Sequence, residues 1–274
     1  MIASTLRGLA LALCLTGAAA AQEDASLRAL TTADDSRGWA GVGRLELGPG
    51  AFCTGALVSE ELVLTAAHCL FAAGSGDRVD DGMIQFRAGW RDGRAEAYRG
   101  VRRSVVHPGY RPASEDSVLD GVASDLALLE LDRPIRLGRV APFETEMRPG
   151  DGAEVGVVSY AQDRADRPAL QEVCHVLGER DAVLVLSCSV DFGSSGAPVF
   201  VIEGERARIV SVVSAKARMG ERKVSLGSAL HPALEELKAL MAQGDGVFRR
   251  IQPTVRRMSK DAAKADSSAK FVRP

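Results

Sequence analysis

The chain has 274 residues, enough for one large domain or two small ones around a substantial core. Apolar residues make up 46% and charged residues 26%, an ordinary balance for a water-exposed folded protein. A formal net charge of −2 gives no global pull toward nucleic acid, so no nucleic-acid partner is expected.

The first 21 residues differ from the rest. Arg7 is their only charge, Leu9 to Leu15 form a short apolar run, and Ala19-Ala20-Ala21 precede Gln22. This pattern predicts a signal peptide over residues 1–21 and an exported protein, periplasmic or secreted. Cys14 raises a lipoprotein alternative, but Leu13 stands where a small residue is wanted. No other stretch is apolar for long enough to cross a bilayer, so no integral membrane span is expected. Residues 22–37 are polar without clear period and read as a mobile leader or propeptide.

From residue 38 the pattern turns short, β-rich and punctuated by turns. Strands are predicted within 41–47, 52–58, 62–66, 83–88, 101–107 and 126–131. After Pro149-Gly150 they recur within 153–160, 171–177, 183–188, 198–202 and 209–214. Many short strands without alternating helices predict an all-β protein, a sandwich or a pair of barrels. A helix is predicted over 231–241, with Pro232 in its first turn and Leu234, Leu237 and Met241 on one face. The folded domain is expected over 38–242. The remainder, 243–274, reads as a basic, disordered tail able to touch an acidic surface. From Arg249 onward it carries eight Lys or Arg and two Asp.

Beyond the leader stand four cysteines, Cys53, Cys69, Cys174 and Cys188. An even count in an exported chain predicts disulfides. The two local pairings, Cys53–Cys69 and Cys174–Cys188, are favoured over the other connectivities. Each closes a loop of roughly 15 residues and stabilises by about 3 kcal/mol. A zinc site is the competing reading, but no Cys-x-x-Cys pair occurs and the histidine spacing is wrong.

Three segments carry chemistry: Leu64-Thr-Ala-Ala-His-Cys69, Ser124-Asp-Leu-Ala-Leu-Leu-Glu-Leu131 and Asp191-Phe-Gly-Ser-Ser-Gly-Ala-Pro-Val-Phe200. A serine hydroxyl is a weak nucleophile at neutral pH and needs an adjacent base. His68 can take the proton of Ser195, and a buried Asp125 can fix the imidazole tautomer. Gly193 and Gly196 permit a tight turn that aims the N–H groups of Gly193 and Ser195 at a developing oxyanion. Losing one such donor costs about 3–4 kcal/mol of transition-state stabilisation. Each motif alone has a bland explanation; the weight lies in all three together, in the order His, Asp, Ser.

Over roughly Trp39 to Met241 the sequence resembles the trypsin/chymotrypsin superfamily, especially the bacterial branch that includes glutamyl endopeptidases. Cys53-Thr-Gly-Ala-Leu-Val and Thr65-Ala-Ala-His-Cys69 are similar to its first-barrel pattern, including a disulfide across the histidine loop. Asp125-Leu-Ala-Leu-Leu is similar to its aspartate strand, and Gly193-Ser-Ser-Gly-Ala-Pro198 to its nucleophile turn. Val106-His-Pro-Gly-Tyr110 is also familiar there, with His107 not catalytic. The resemblance implies two antiparallel six-stranded Greek-key barrels, a C-terminal helix, and a serine endopeptidase. Its catalytic residues would be His68, Asp125 and Ser195, its oxyanion hole Gly193 and Ser195, and its substrate a protein or peptide. No cofactor or metal is implied.

The chain also departs from the pattern. Trypsin-type zymogens carry an aspartate before the nucleophile, paired with a newly cut N-terminal amine; here that position is Ser194. Activation through that ion pair is not expected. The resemblance places the substrate pocket at Ser189, Val190 and Phe192, and at Val213, Ser214, Ala215 and Lys216. Ser189 stands where trypsin has an aspartate, and Val213 where glutamyl endopeptidases have a histidine. A neutral side chain is therefore expected at the cleavage position, with Lys216 narrowing the cleft or reading an acidic group. His175 and His231 read as structural. The alternative to an active enzyme is a protease-like binding or regulatory module with a latent or blocked site.

Overall fold

The computed structural model describes residues 24–112, 118–146 and 149–249. The expected signal peptide and the basic run from Arg250 onward lie outside the described residues.

A two-residue strand, β1 (Arg28–Ala29), comes first. Six strands follow: β2 (Val42–Glu46), β3 (Phe52–Leu57), β4 (Leu62–Thr65), β5 (Gln85–Ala88), β6 (Ala97–Val106) and β7 (Ala127–Leu131). A short helix, α1 (Val118–Ala123), leads into β7. These six strands pair antiparallel in the closed order β2-β3-β4-β7-β6-β5, and β5 returns to β2.

After β8 (Glu144–Thr145) a second set begins: β9 (Glu154–Ser159), β10 (Ala169–Arg180), β11 (Val183–Leu186), β12 (Pro198–Glu203), β13 (Arg206–Met219) and β14 (Arg222–Ala229). Its closed order is β9-β10-β11-β14-β13-β12, which repeats the order of the first set. The protein is thus two six-stranded antiparallel barrels, as the family resemblance implied. Closure pairs every ring strand on both sides, and the longer strands β6, β10 and β13 extend past that pairing to take further short strands.

The predicted helix is α2 (Ala233–Gln243), with Pro232 at its N-cap. Leu234, Leu237 and Met241 are buried as their spacing requires. Gly244 ends the helix with a positive φ of 80°, and its N–H bonds to the Leu240 carbonyl. The helix lies against β6 and β7 of the first barrel.

The two ends of the described chain depart from expectation. Residues 24–30, expected to be mobile, are docked on the second barrel. Ala25 N–H bonds to the Val173 carbonyl, and Leu30 N–H to the Pro168 carbonyl. Arg28–Ala29 pairs with Leu170 and Ala169 of β10, and Leu30 is fully buried. The segment's two leucines, Leu27 and Leu30, and scattered polar residues give no periodic signal, yet docking on an existing sheet edge requires only backbone groups. Residues 243–249, expected in the disordered tail, are ordered. β15 (Val247–Arg249) pairs with Arg103–Val105 of β6, and the Arg78 guanidinium lies 4.6 Å from the Phe248 ring centroid.

The main core is continuous through the first barrel and reaches Tyr160, Leu170, Phe200 and Val212 of the second. Trp39 and Phe143 pack their rings on Phe200 at 5.2 and 4.8 Å between centroids. A second core fills the other barrel around Cys174 and Cys188. Leu30→Ala is expected to cost about 2–5 kcal/mol of stability, measured by urea unfolding. A loss under about 0.5 kcal/mol would mean that the N-terminal segment peels away freely.

Candidate active site

Asp125 sits between α1 and β7 and is only 2% exposed. A carboxylate withdrawn from water this far needs donors. His68, in a 3-10 turn (Ala67–Leu70) just after β4, supplies two of them. Its backbone N–H bonds to Oδ1 at 2.8 Å, and its Nδ1 lies 2.6 Å from Oδ2. Facing an ionised carboxylate, which only accepts, Nδ1 is the protonated ring nitrogen. The third donor is the Ser214 hydroxyl, 2.5 Å from Oδ2. Ser214 lies in β13 where the register with β14 shifts, between Val213 and Ala215.

Burial of the His68 ring favours the neutral form, but the hydrogen bond and negative charge of Asp125 outweigh it and hold the pKa above its ordinary value. Tyr110 is pushed up to about 12, first by burial and then by the Asp125 charge.

Ser195 lies in the loop between β11 and β12. The loop is turned by Gly193 and Gly196, with φ of 93° and 77°. At Gly196 a methyl group would meet Thr65 Oγ1 and the Thr54 carbonyl, so only glycine fits. Thr54 pins the loop from the first barrel. Its N–H bonds to the Ser195 carbonyl and its Oγ1 to the Gly193 carbonyl, both at 2.8 Å. Gly196 N–H bonds to the Val213 carbonyl at 2.8 Å. The N–H groups of Ser194 and Ala197 close turns onto Asp191 and Ser194. Among the described residues no hydrogen bond engages the N–H of Gly193 or Ser195.

Ser194, at the position of the missing aspartate, is fully buried. Its Oγ donates to the Tyr160 carbonyl at 3.2 Å and lies 3.3 Å from Ser159 Oγ. Arg164 Nη2 reaches it at 3.5 Å while bonding Ser159 Oγ at 3.1 Å. A largely buried guanidinium therefore stands beside a hydroxyl where zymogen-type enzymes would need an ion pair.

His68, Gly193 and Ser195 line one open cavity of about 730 Å³. Val190, Phe192, Val213, Ser214, Ala215 and Lys216 line the same cavity. Ser189 lies instead on an adjoining cavity of about 400 Å³, which shares Val190, Asp191 and Lys216 with the first. At their junction Lys216 Nζ lies 2.8 Å from Asp191 Oδ1 and 3.8 Å from the Phe192 ring centroid. Arg218 and Lys223 stand on the smaller cavity's wall.

Disulfides join Cys53 to Cys69 and Cys174 to Cys188, the expected local pairings. The first ties β3 to the His68 turn. The ligand atoms of Cys53, His68 and Cys69 cluster within 4.8 Å, but both sulfurs are consumed in the disulfide and leave no thiolate for a metal. Among the described residues no helix is long and apolar enough to cross a membrane.

The family model described as Trypsin matches residues 31–226. The chain belongs to the trypsin family. Among curated relatives it is 29% identical to serine protease 23 of Bos taurus over 172 residues, covering 54% of this chain and 43% of that protein. It is 38% identical to human kallikrein-10 over 112 residues, covering 38% and 37%. Mouse cathepsin G shows 34% identity over 129 residues, covering 44% of each chain. The matches thus span less than half of these relatives. A solved Glu endopeptidase, in complex with MPD, is similar in fold, with a TM-score of 0.64. It is 17% identical and covers 81% of this chain and 98% of its own.

The structure brings His68 and Asp125 into direct contact and sets Ser195 on the same cavity. The other histidines stand apart. His107 faces Glu236 at 3.4 Å, and His175 is buried against Asp24. Sequence reasoning placed Ser214 only on a pocket wall and passed over Thr54, Tyr110 and Arg164. Thr54 had one usable signal, a polar residue inside an apolar strand beside a cysteine.

The His68 imidazole is expected to titrate above about 6.5, the reference value, in an NMR titration. In Asp125→Asn the negative charge that favours the imidazolium is removed while burial remains, and the value should fall below that of the parent. An unchanged value would mean that the pair is not formed in solution.

Proposed function

We propose that this chain is an exported serine endopeptidase. The observation that carries the reading is the His68–Asp125 pair, 2.6 Å apart, beside a cavity that also bears Ser195. Membership of the trypsin family supports the same chemistry.

With Nδ1 engaged by Asp125, Nε2 is the nitrogen that takes the Ser195 proton. The Ser195 oxygen attacks the peptide carbonyl carbon, and the carbonyl electron pair moves onto oxygen. The N–H groups of Gly193 and Ser195 stabilise that oxyanion. As the carbon–nitrogen bond breaks, His68 returns the proton to the leaving amine and an acyl-enzyme remains. Water, deprotonated by His68, then attacks the ester carbonyl and releases the acid and Ser195. Asp125 stays ionised and stabilises the imidazolium that forms twice in each cycle.

The side-chain pocket is the smaller cavity, reached past Ser189, Val190 and Lys216. Its walls carry three cations, Lys216, Arg218 and Lys223, against the single carboxylate of Asp191. The neutral preference expected from Ser189 and Val213 is therefore biased by a positive field that repels Lys and Arg. Peptides with Lys or Arg at the cleavage position should show kcat/KM at least about tenfold below matched peptides with Glu or Gln. Equal rates would remove the electrostatic argument.

The two disulfides and the signal-peptide pattern support action outside the reducing cytoplasm. The basic run from Arg249 is the part of the chain suited to an acidic surface.

A fluorophosphonate probe should label the disulfide-intact protein and fail to label Ser195→Ala. The same variant should lose about 10³-fold or more in kcat on peptides. Labelling that persists in the variant would mean another nucleophile, and no labelling of either would favour the latent module.

A further inference from the structure

The mechanism leaves unused a polar cluster in which Asp24, at the surface, meets the buried His175 and Ser187 and joins the N-terminal segment to the pocket wall. Asp24 Oδ1 accepts a hydrogen bond from Ser187 Oγ at 2.5 Å and lies 2.9 Å from His175 Nδ1. Arg222 Nη2 approaches Asp24 Oδ2 at 3.4 Å. Ser187 and His175 are also tied to each other through the main chain. Ser187 N–H bonds to the His175 carbonyl, and His175 N–H to Ser187 Oγ at 2.8 Å. The Ser187 hydroxyl thus receives one hydrogen bond and gives one, which fixes its rotamer.

A second tie runs through Gln171, which is 3% exposed. Its Nε2 donates to the Ala25 carbonyl at 3.0 Å, and its Oε1 accepts from Ser189 N–H at 2.7 Å. One buried amide therefore couples the backbone of the N-terminal segment to the backbone of the pocket. Ser187 and Ser189 both line the smaller cavity, on either side of Cys188 and its disulfide. Neither tie resembles the exposed Arg28–Glu172 pair nearby, which contributes little.

We propose that residues 24–30 are a permanent part of the mature protein, and that Asp24 and Gln171 are positioning residues for the side-chain pocket through Ser187 and Ser189. This rests on the reading of the smaller cavity as that pocket. The segment is then a brace and not a removable leader. Without Asp24 the Ser187 hydroxyl loses its acceptor and the buried His175 ring its partner. Without Gln171 the Ser189 N–H is left without its acceptor.

Three measurements test this on the full exported chain. The mature, folded protein should keep Asp24, read by intact mass and N-terminal sequencing. A mature terminus beyond Asp24 would overturn the proposal whatever the activity. Asp24→Ala should react with the fluorophosphonate probe at close to the parent rate, because that probe does not need the pocket. On peptides that fill the pocket its KM should rise by roughly 3–10-fold with kcat little changed. On peptides with Ala at that position KM should stay near the parent value, and Asp24→Asn, which keeps an acceptor for Ser187, should recover most of the loss. Unchanged selectivity in both Asp24→Ala and Gln171→Ala would overturn the proposal. Failure of the parent itself to label would strike the nucleophile reading, while the retained segment is judged separately by the mass of the mature chain.

Discussion

Everything at the centre of this molecule depends on keeping one carboxylate ionised out of water. Asp125 is almost wholly buried, and an unpaired charge there would cost several kcal/mol. Its donors come from both halves of the protein. His68 belongs to the first barrel, and Ser214 to the second. The first barrel supplies two donors through His68 and the third is Ser214, so the carboxylate is fully satisfied only where the barrels meet. The hydrogen bond and charge of Asp125 set the imidazole tautomer and lift its pKa, while the Ser214 bond to the same carboxylate ties in the second barrel.

The nucleophile loop follows the same logic. Thr54, from β3, holds two of its carbonyls, and Val213, from β13, accepts the Gly196 N–H. Among the described residues the N–H groups of Gly193 and Ser195 take no part in that holding. Behind the loop Arg164 holds the Ser159 and Ser194 hydroxyls and has Asp163 as its own carboxylate neighbour at 3.9 Å.

How much of this was legible in the sequence depends on distance along the chain. His68, Asp125 and Ser195 each sit in a short motif whose neighbours explain them, and α2 follows from Leu234, Leu237 and Met241. β14 was missed because its buried positions include Ser225, Gly227 and Ser228 where a strand usually shows aliphatics; Ser211 Oγ donates to the Ser228 carbonyl inside the barrel. β13 runs well past the apolar stretch 209–214, since its polar ends are carried by pairing with β12 and β14. Ser214 and Asp125 are 89 residues apart, and Gln171 reaches back 146 residues to Ala25. Such pairs leave no local periodicity. The same holds for the N-terminal segment, whose strand is defined by its partner and not by its own composition.

The two ends of the described chain cross over. β1 begins ahead of the first barrel yet pairs with β10 of the second, while β15 follows the second barrel yet pairs with β6 of the first, behind α2. Each half thus carries a ribbon belonging to the other. A protease that cut the connection between the barrels, near Pro149-Gly150, would sever one covalent bond and leave two crossed straps in place. The products would be two polypeptides that travel as one body, distinguishable on a denaturing gel but not by size in solution. Mechanically the protein is a clasp, and its linker is the part it can most easily do without.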